Sequence, residues 1–108
     1  MSVKVFRTPK EQALGLRGED FPLPKDALYF FPWVAPGIVT AEGVAGPFEV
    51  VFLDDDFNCI QQIGMDSSIG RGIGRFYVPP NAVHMVEIPI NSPLSFGFVN
   101  WSFLRGYL

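Results

Sequence analysis

Apolar residues in this chain come in short runs, and nearly every run meets proline, glycine or an acidic turn. VKVF (residues 3–6) is a brief β-prone segment, and ALYFF (27–31) is apolar throughout until Pro32 and Pro36 stop it. IVTA (38–41) precedes Glu42-Gly43. FEVVFLD (48–54) begins after Pro47, and NCIQQI (58–63) returns across Asp55-Asp56 as its hairpin partner. FYV (76–78) ends at Pro79-Pro80, and AVHMVEI (82–88) and VNWSFL (99–104) complete the set. Strands this short and this punctuated predict an all-β, mainly antiparallel fold. The expectation is one small β-barrel-like domain over residues 1–108, with one or two short helices.

The helix signals are local. Thr8 can cap an N-terminus, Pro9 suits the first helical position, and Glu11 completes a Thr-x-x-Glu capping box. Gly15 and Gly18 close that helix within about three turns. FPLP (21–24) is then an extended connection, and Ser92-Pro93 opens one helical turn that Gly97 ends.

Composition narrows the function classes. With 48% hydrophobic and 18% charged residues, the 108-residue chain is built to fold and to bury roughly 65% of its unfolded surface. A net charge of -3, with eight scattered Lys and Arg residues, argues against nucleic-acid binding, which needs a basic stripe. No apolar run approaches the ~20 residues that span a bilayer. The opening MSVKVFRTPKEQ lacks a signal-like apolar stretch, so a cytoplasmic location is expected when the protein is made. The lone Cys59 excludes an internal disulfide and a Cys-based zinc site. Eleven Phe, three Tyr and two Trp are many for one small core, so some should face a ligand or another protein.

Each candidate site has a plainer reading beside it. SSIGRGIGRF (67–76) places glycines near Arg71 and Arg75, but no helix signal follows Gly74, and a phosphate cradle needs one. A surface finger, with a partner contact through Arg71 and Arg75, is the expectation. DDDFN (54–58) lacks the oxygen spacing of a calcium loop and suits a hairpin turn. Cys59 and His84 lack the third group of a nucleophilic dyad, and an isolated cysteine in an apolar strand is usually core. Neither a catalytic residue, a metal site nor a cofactor is implied. Arg7, Arg17, Glu42, Glu49 and Glu87 lie beside or inside apolar runs, where charges face outward or pair.

In order, these segments resemble a family of β-rich proteins known as domain of unknown function 192. Thr8, Glu11, Gln12, Gly15 and Leu16 match its opening motif. Leu23, Pro24, Ala27, Leu28, Tyr29, Phe30 and Phe31 match the next. Residues 39–54 align without gaps to a third, with Pro47, Phe48, Glu49, Val50, Phe52, Leu53 and Asp54 kept. Glu87, Pro89 and Gly97 fall in place near the end. The resemblance implies a compact β-barrel-like domain and carries no enzymatic role. The family's aromatic-Trp-Met-Lys-Asn-Thr stretch reads Val39-Thr40-Ala41-Glu42-Gly43-Val44 here, and its late Gly-Asp pair reads Trp101-Ser102.

Two functions follow. The leading expectation is a non-enzymatic structural or assembly protein that packs against protein partners in many copies, such as an accessory component of a bacteriophage particle. Its interface would include Trp101, Phe103 and Tyr107, on one face of a C-terminal strand, together with Arg71 and Arg75. The alternative is a small-molecule-binding or enzymatic domain using the barrel mouth, with Arg7, Glu42 and Glu49 in the pocket.

Overall fold

The computed structural model describes residues 1–67, 73–95 and 99–108. Among them the elements run β1 (Ser2–Val5), α1 (Pro9–Leu14), β2 (Ala27–Phe31), β3 (Ile38–Thr40), β4 (Phe48–Leu53), β5 (Cys59–Met65), β6 (Arg75–Tyr77) and β7 (His84–Pro89). Three 3₁₀ segments, Gly15–Gly18, Pro93–Ser95 and Trp101–Tyr107, join them.

Helix α1 starts where the sequence places it. The Glu11 amide donates to Thr8 Oγ1 at 3.0 Å, and the Thr8 amide donates back to Glu11 Oε1 at 2.9 Å. Both halves of the capping box are therefore made. The Thr8 amide, with that of Arg7, holds the Glu11 carboxyl below its ordinary pKa.

Five strands form one sheet in the order β1-β2-β7-β4-β5, and β3 and β6 form a separate antiparallel ribbon. The β1–β2 pair is parallel and the other pairs in the sheet are antiparallel. This corrects the barrel expectation to an open mixed sheet. β1 reaches β2 only after the chain has passed through α1, which makes a parallel pairing possible. β1 and β5 remain as separate edges, so no barrel closes.

Both faces of the sheet are buried. Tyr29, Phe31, Phe48, Val50, Phe52 and Met85 belong to one apolar cluster, which the ribbon covers through Val39 and Phe76. Leu28, Phe30, Val51, Leu53, Val86 and Ile88 belong to the other, under Phe57, Trp101 and Leu104. Neighbours along a strand point to opposite faces, so central strands buried on both sides read as unbroken apolar runs. Phe30, Phe31, Phe48 and Phe52 are each almost wholly enclosed, and each contributes about 1.5–3 kcal/mol by burial.

The β4–β5 hairpin turns as expected. Asp54 Oδ1 accepts from the amides of Asp56 and Asn58, both at 2.9 Å, so the acidic residues serve the turn. Cys59 is exposed on edge strand β5, which corrects its reading as core.

The C-terminal segment is also corrected: residues Trp101–Tyr107 form a 3₁₀ helix. Asn100 Oδ1 caps it by accepting from the Ser102 amide at 3.1 Å. Residues three apart share a face of such a helix, so Trp101 and Leu104 turn inward together. Leu104 is fully buried.

Candidate functional site

A cleft of about 420 Å³ opens on the ribbon-covered face of the sheet. Its floor is Phe31 of β2 and Met85 and Glu87 of β7. One wall comes from α1 and the 3₁₀ turn after it, through Gln12, Ala13, Leu16 and Arg17. The other comes from Val34, Val39 and Thr40, with Val78 beyond β6.

Two polar side chains strap these walls. Gln12 Nε2 donates to the carbonyls of Phe6 at 2.9 Å and Pro32 at 2.8 Å, tying α1 to the ends of β1 and β2. Arg17 Nε donates to the Glu42 carbonyl at 2.9 Å, and its Nη1 donates to the Ala13 carbonyl at 2.6 Å. The second strap joins the helical wall to the loop after β3.

Glu87 sets the electrostatics. It faces Tyr29 on β2 and Val50 on β4 in register, in the middle of the sheet. Its residue exposure is 4%, and among the described residues no hydrogen bond or ion pair holds its carboxyl. Burial alone pushes its pKa from an ordinary 4.5 up to about 8. At neutral pH the cleft floor therefore carries a predominantly neutral carboxylic acid.

Two solved structures share this fold. A protein of unknown function from Novosphingobium aromaticivorans superposes with a TM-score of 0.66 at 16% identity, over 86% of this chain and 64% of that one. A candidate transcription regulator from Sinorhizobium meliloti gives 0.68 at 12% identity, over 92% of this chain and 76% of that one. The chain thus spans 64% of the length of the Novosphingobium protein. Likeness at such identities shows the fold alone. No protein-family model and no curated protein sequence matches the chain.

The residues expected to line a pocket are dispersed. The Arg7 guanidinium donates to the Tyr107 carbonyl, whereas the exposed Glu42 carboxylate lies 4.0 Å from Arg75. Glu49 accepts from Gln62 Nε2 at 3.1 Å, and strand alternation puts it on the face opposite Glu87. None of the three lines the cleft.

The expected interface residues also part company. Trp101 is buried in the second apolar cluster, so it offers no free anchor, while Phe103 and Tyr107 are each 38% exposed. Arg75 opens β6, and Arg71 lies outside the described residues. The ends of its glycine-rich stretch are held by backbone. Asp66 N–H donates to the Ile73 carbonyl at 3.1 Å, and Ala41 N–H donates to that of Gly74 at 2.9 Å. A strand follows Gly74, so the described part has no helix N-terminus to receive a phosphate.

Glu87 is the residue that the outward-or-paired expectation misplaced. In AVHMVEI its neighbours on both sides are apolar, so alternation gives no sign of which face is covered. The available signal was its position inside the run. His84, by contrast, accepts the Trp33 amide at Nδ1, 3.0 Å away, and β4 lies between its strand and the one that carries Cys59. Among the described residues no group of three or more His, Cys, Asp or Glu could hold a metal ion, and no helix is long and apolar enough to cross a membrane.

Proposed function

We propose that this chain is a small-molecule-binding domain whose site is the cleft over Glu87. The observation that carries the reading is a nearly buried carboxyl, without a hydrogen-bond or ion-pair partner among the described residues, on the floor of a cleft lined mainly by apolar residues. Such a group costs stability, and a strongly perturbed acid in a cleft is a candidate functional group. The volume lies within the ordinary range for small ligands. Gln12, Gly15, Leu16, Phe31 and Glu87 line the cleft and also carry the resemblance to domain of unknown function 192. We take that kinship as part of the proposal. A fragment screen read by amide chemical shifts is the test. Hits should cluster on Ala13, Val39 and Met85, and a screen whose hits all fall elsewhere overturns the reading.

A second reading rests on a different observation. Trp33 and Tyr77 are 65% and 74% exposed, and Tyr77 lies opposite the half-exposed Ile38 in the ribbon. Large exposed apolar side chains suit packing against protein partners, in a multi-copy assembly such as a virus particle. Light scattering at high concentration tests its self-assembling form. Association lost on Trp33→Ser and Tyr77→Ser supports it, and a persistent monomer counts against it.

A further inference from the structure

We infer that the cleft takes a ligand with a cationic nitrogen head, such as a primary ammonium, on an apolar body, the head docking against the Glu87 carboxylate. The inference rests on the binding reading above and adds the class of ligand.

The argument begins with what the fold omits. A buried carboxylate ordinarily has an arginine, a lysine or several N–H donors beside it. Glu87 has none. β2 presents Tyr29 on the same face, and burial together with Glu19 raises its pKa, so it remains a neutral phenol. β4 presents Val50 in register. From the ribbon, Arg75 lies beside Glu42. From the helical wall, Arg17 lines the cleft, but its guanidinium is engaged with the carbonyls of Glu42 and Ala13. Burial accounts for the upward shift of Glu87, and the described cations are engaged elsewhere.

The missing counter-charge can therefore come from a ligand. An ammonium placed against Glu87 would sit in low dielectric, where ion pairing is far stronger than in water. Phe31, Val34, Val39 and Met85 would meet an apolar body behind it. The acidic chain, with eight basic and eleven acidic side chains, also favours the approach of cations. On binding, the Glu87 carboxyl releases its proton to solvent while the ammonium keeps its own. Affinity should therefore rise with pH until Glu87 is ionised in the free protein. Because only the ionised fraction is competent, apparent affinity should change by up to about tenfold per pH unit below that point.

Three probes of one length separate the possibilities: hexylammonium, hexanamide and hexanoate, titrated into the full chain at pH 6, 7 and 8. Hexylammonium should shift the amides of Ala13, Val39 and Met85, more tightly as pH rises. Glu87→Gln should weaken it at least tenfold while circular dichroism reports an intact fold. Equal or stronger shifts with hexanamide or hexanoate overturn the cationic class and leave the cleft reading standing. Hexylammonium binding that is unchanged in Glu87→Gln overturns it as well. Silence from all three probes at these amides overturns both the class and the cleft reading.

Discussion

β7 carries two buried ionisable side chains on opposite faces of the sheet, and the protein treats them in opposite ways. His84 is enclosed by partners. Its Nδ1 accepts the Trp33 amide at 3.0 Å, the Phe57 ring stacks on it at 4.7 Å, and the Trp33 ring meets it edge-on at 4.6 Å. Arg105 lies over the far side of that group, 5.0 Å from the Phe57 ring centre and 4.0 Å from Asp56. Burial, then Arg105, lowers the His84 pKa against a weaker pull from Asp55, which keeps the ring neutral. Glu87 has burial and, among the described residues, no partner. The histidine is held within the chain, by one backbone hydrogen bond and by the aromatic rings packed on it. The glutamate is a cost that the fold carries, one that the proposed ligand would offset.

The largest test breaks the satisfied side. Phe57→Ala removes the ring stacked on His84 and should cost about 3–5 kcal/mol in urea unfolding. A loss under about 1 kcal/mol would show that the histidine face is loosely packed and that the contrast with Glu87 is false.

The next test works on the unsatisfied side, with the opposite sign. Glu87→Gln keeps the shape and removes the titration. It should stabilise the protein on the order of 2–3 kcal/mol at pH 7 and by almost nothing near pH 4.5. A destabilised Glu87→Gln protein at neutral pH would mean that the carboxylate has a partner in solution.

The pH profile then sharpens the comparison without mutation. The Glu87 pKa is raised on folding, so its favourable contribution is complete below the unfolded value of 4.5. It is lost as pH rises toward about 8, by at most ~1.4 kcal/mol per unit. The His84 pKa is lowered on folding, so its contribution is complete above the ordinary histidine value and is lost as pH falls through the depressed one. The alkaline decline should vanish in Glu87→Gln while the acid decline persists. An alkaline limb unchanged by that substitution would remove Glu87 as its cause.

The smallest effect lies outside β7 and calibrates the others. Thr8→Ala removes half of the capping box and should lower stability by about 1 kcal/mol. It should do so equally across neutral pH, because no buried titration is involved. An unchanged unfolding midpoint would show that the cap is made but idle.

Local physics was legible from the residues. The capping box joins side chains three positions apart, and the Asp54–Asn58 turn closes on its own aspartate, so neighbours alone decide both. The strand runs were legible because proline and glycine bound them. The C-terminus was misread because Trp101, Phe103 and Tyr107 fit a two-residue alternation, while Trp101 and Leu104 also fit a three-residue period. The Asn100-x-Ser102 cap favoured the latter. The pocket residues were misread because Arg7, Glu42 and Glu49 are conspicuous charges, and charge in a sequence carries no information about which face of a sheet is covered.

By itself, then, the sequence determined the strand runs up to residue 88, the helix start, the hairpin turn and the chain's acidic, core-forming character, all set within a few residues of each position. Only the tertiary structure decided that β1 lies parallel to β2, that β7 runs through the middle of the sheet, and that α1 and the ribbon meet over Glu87. Pairing depends on contacts between residues far apart in the chain, and many registers satisfy the same apolar runs. The burial of one carboxyl is the product of all those pairings at once, which is why it became visible only when the sheet was assembled.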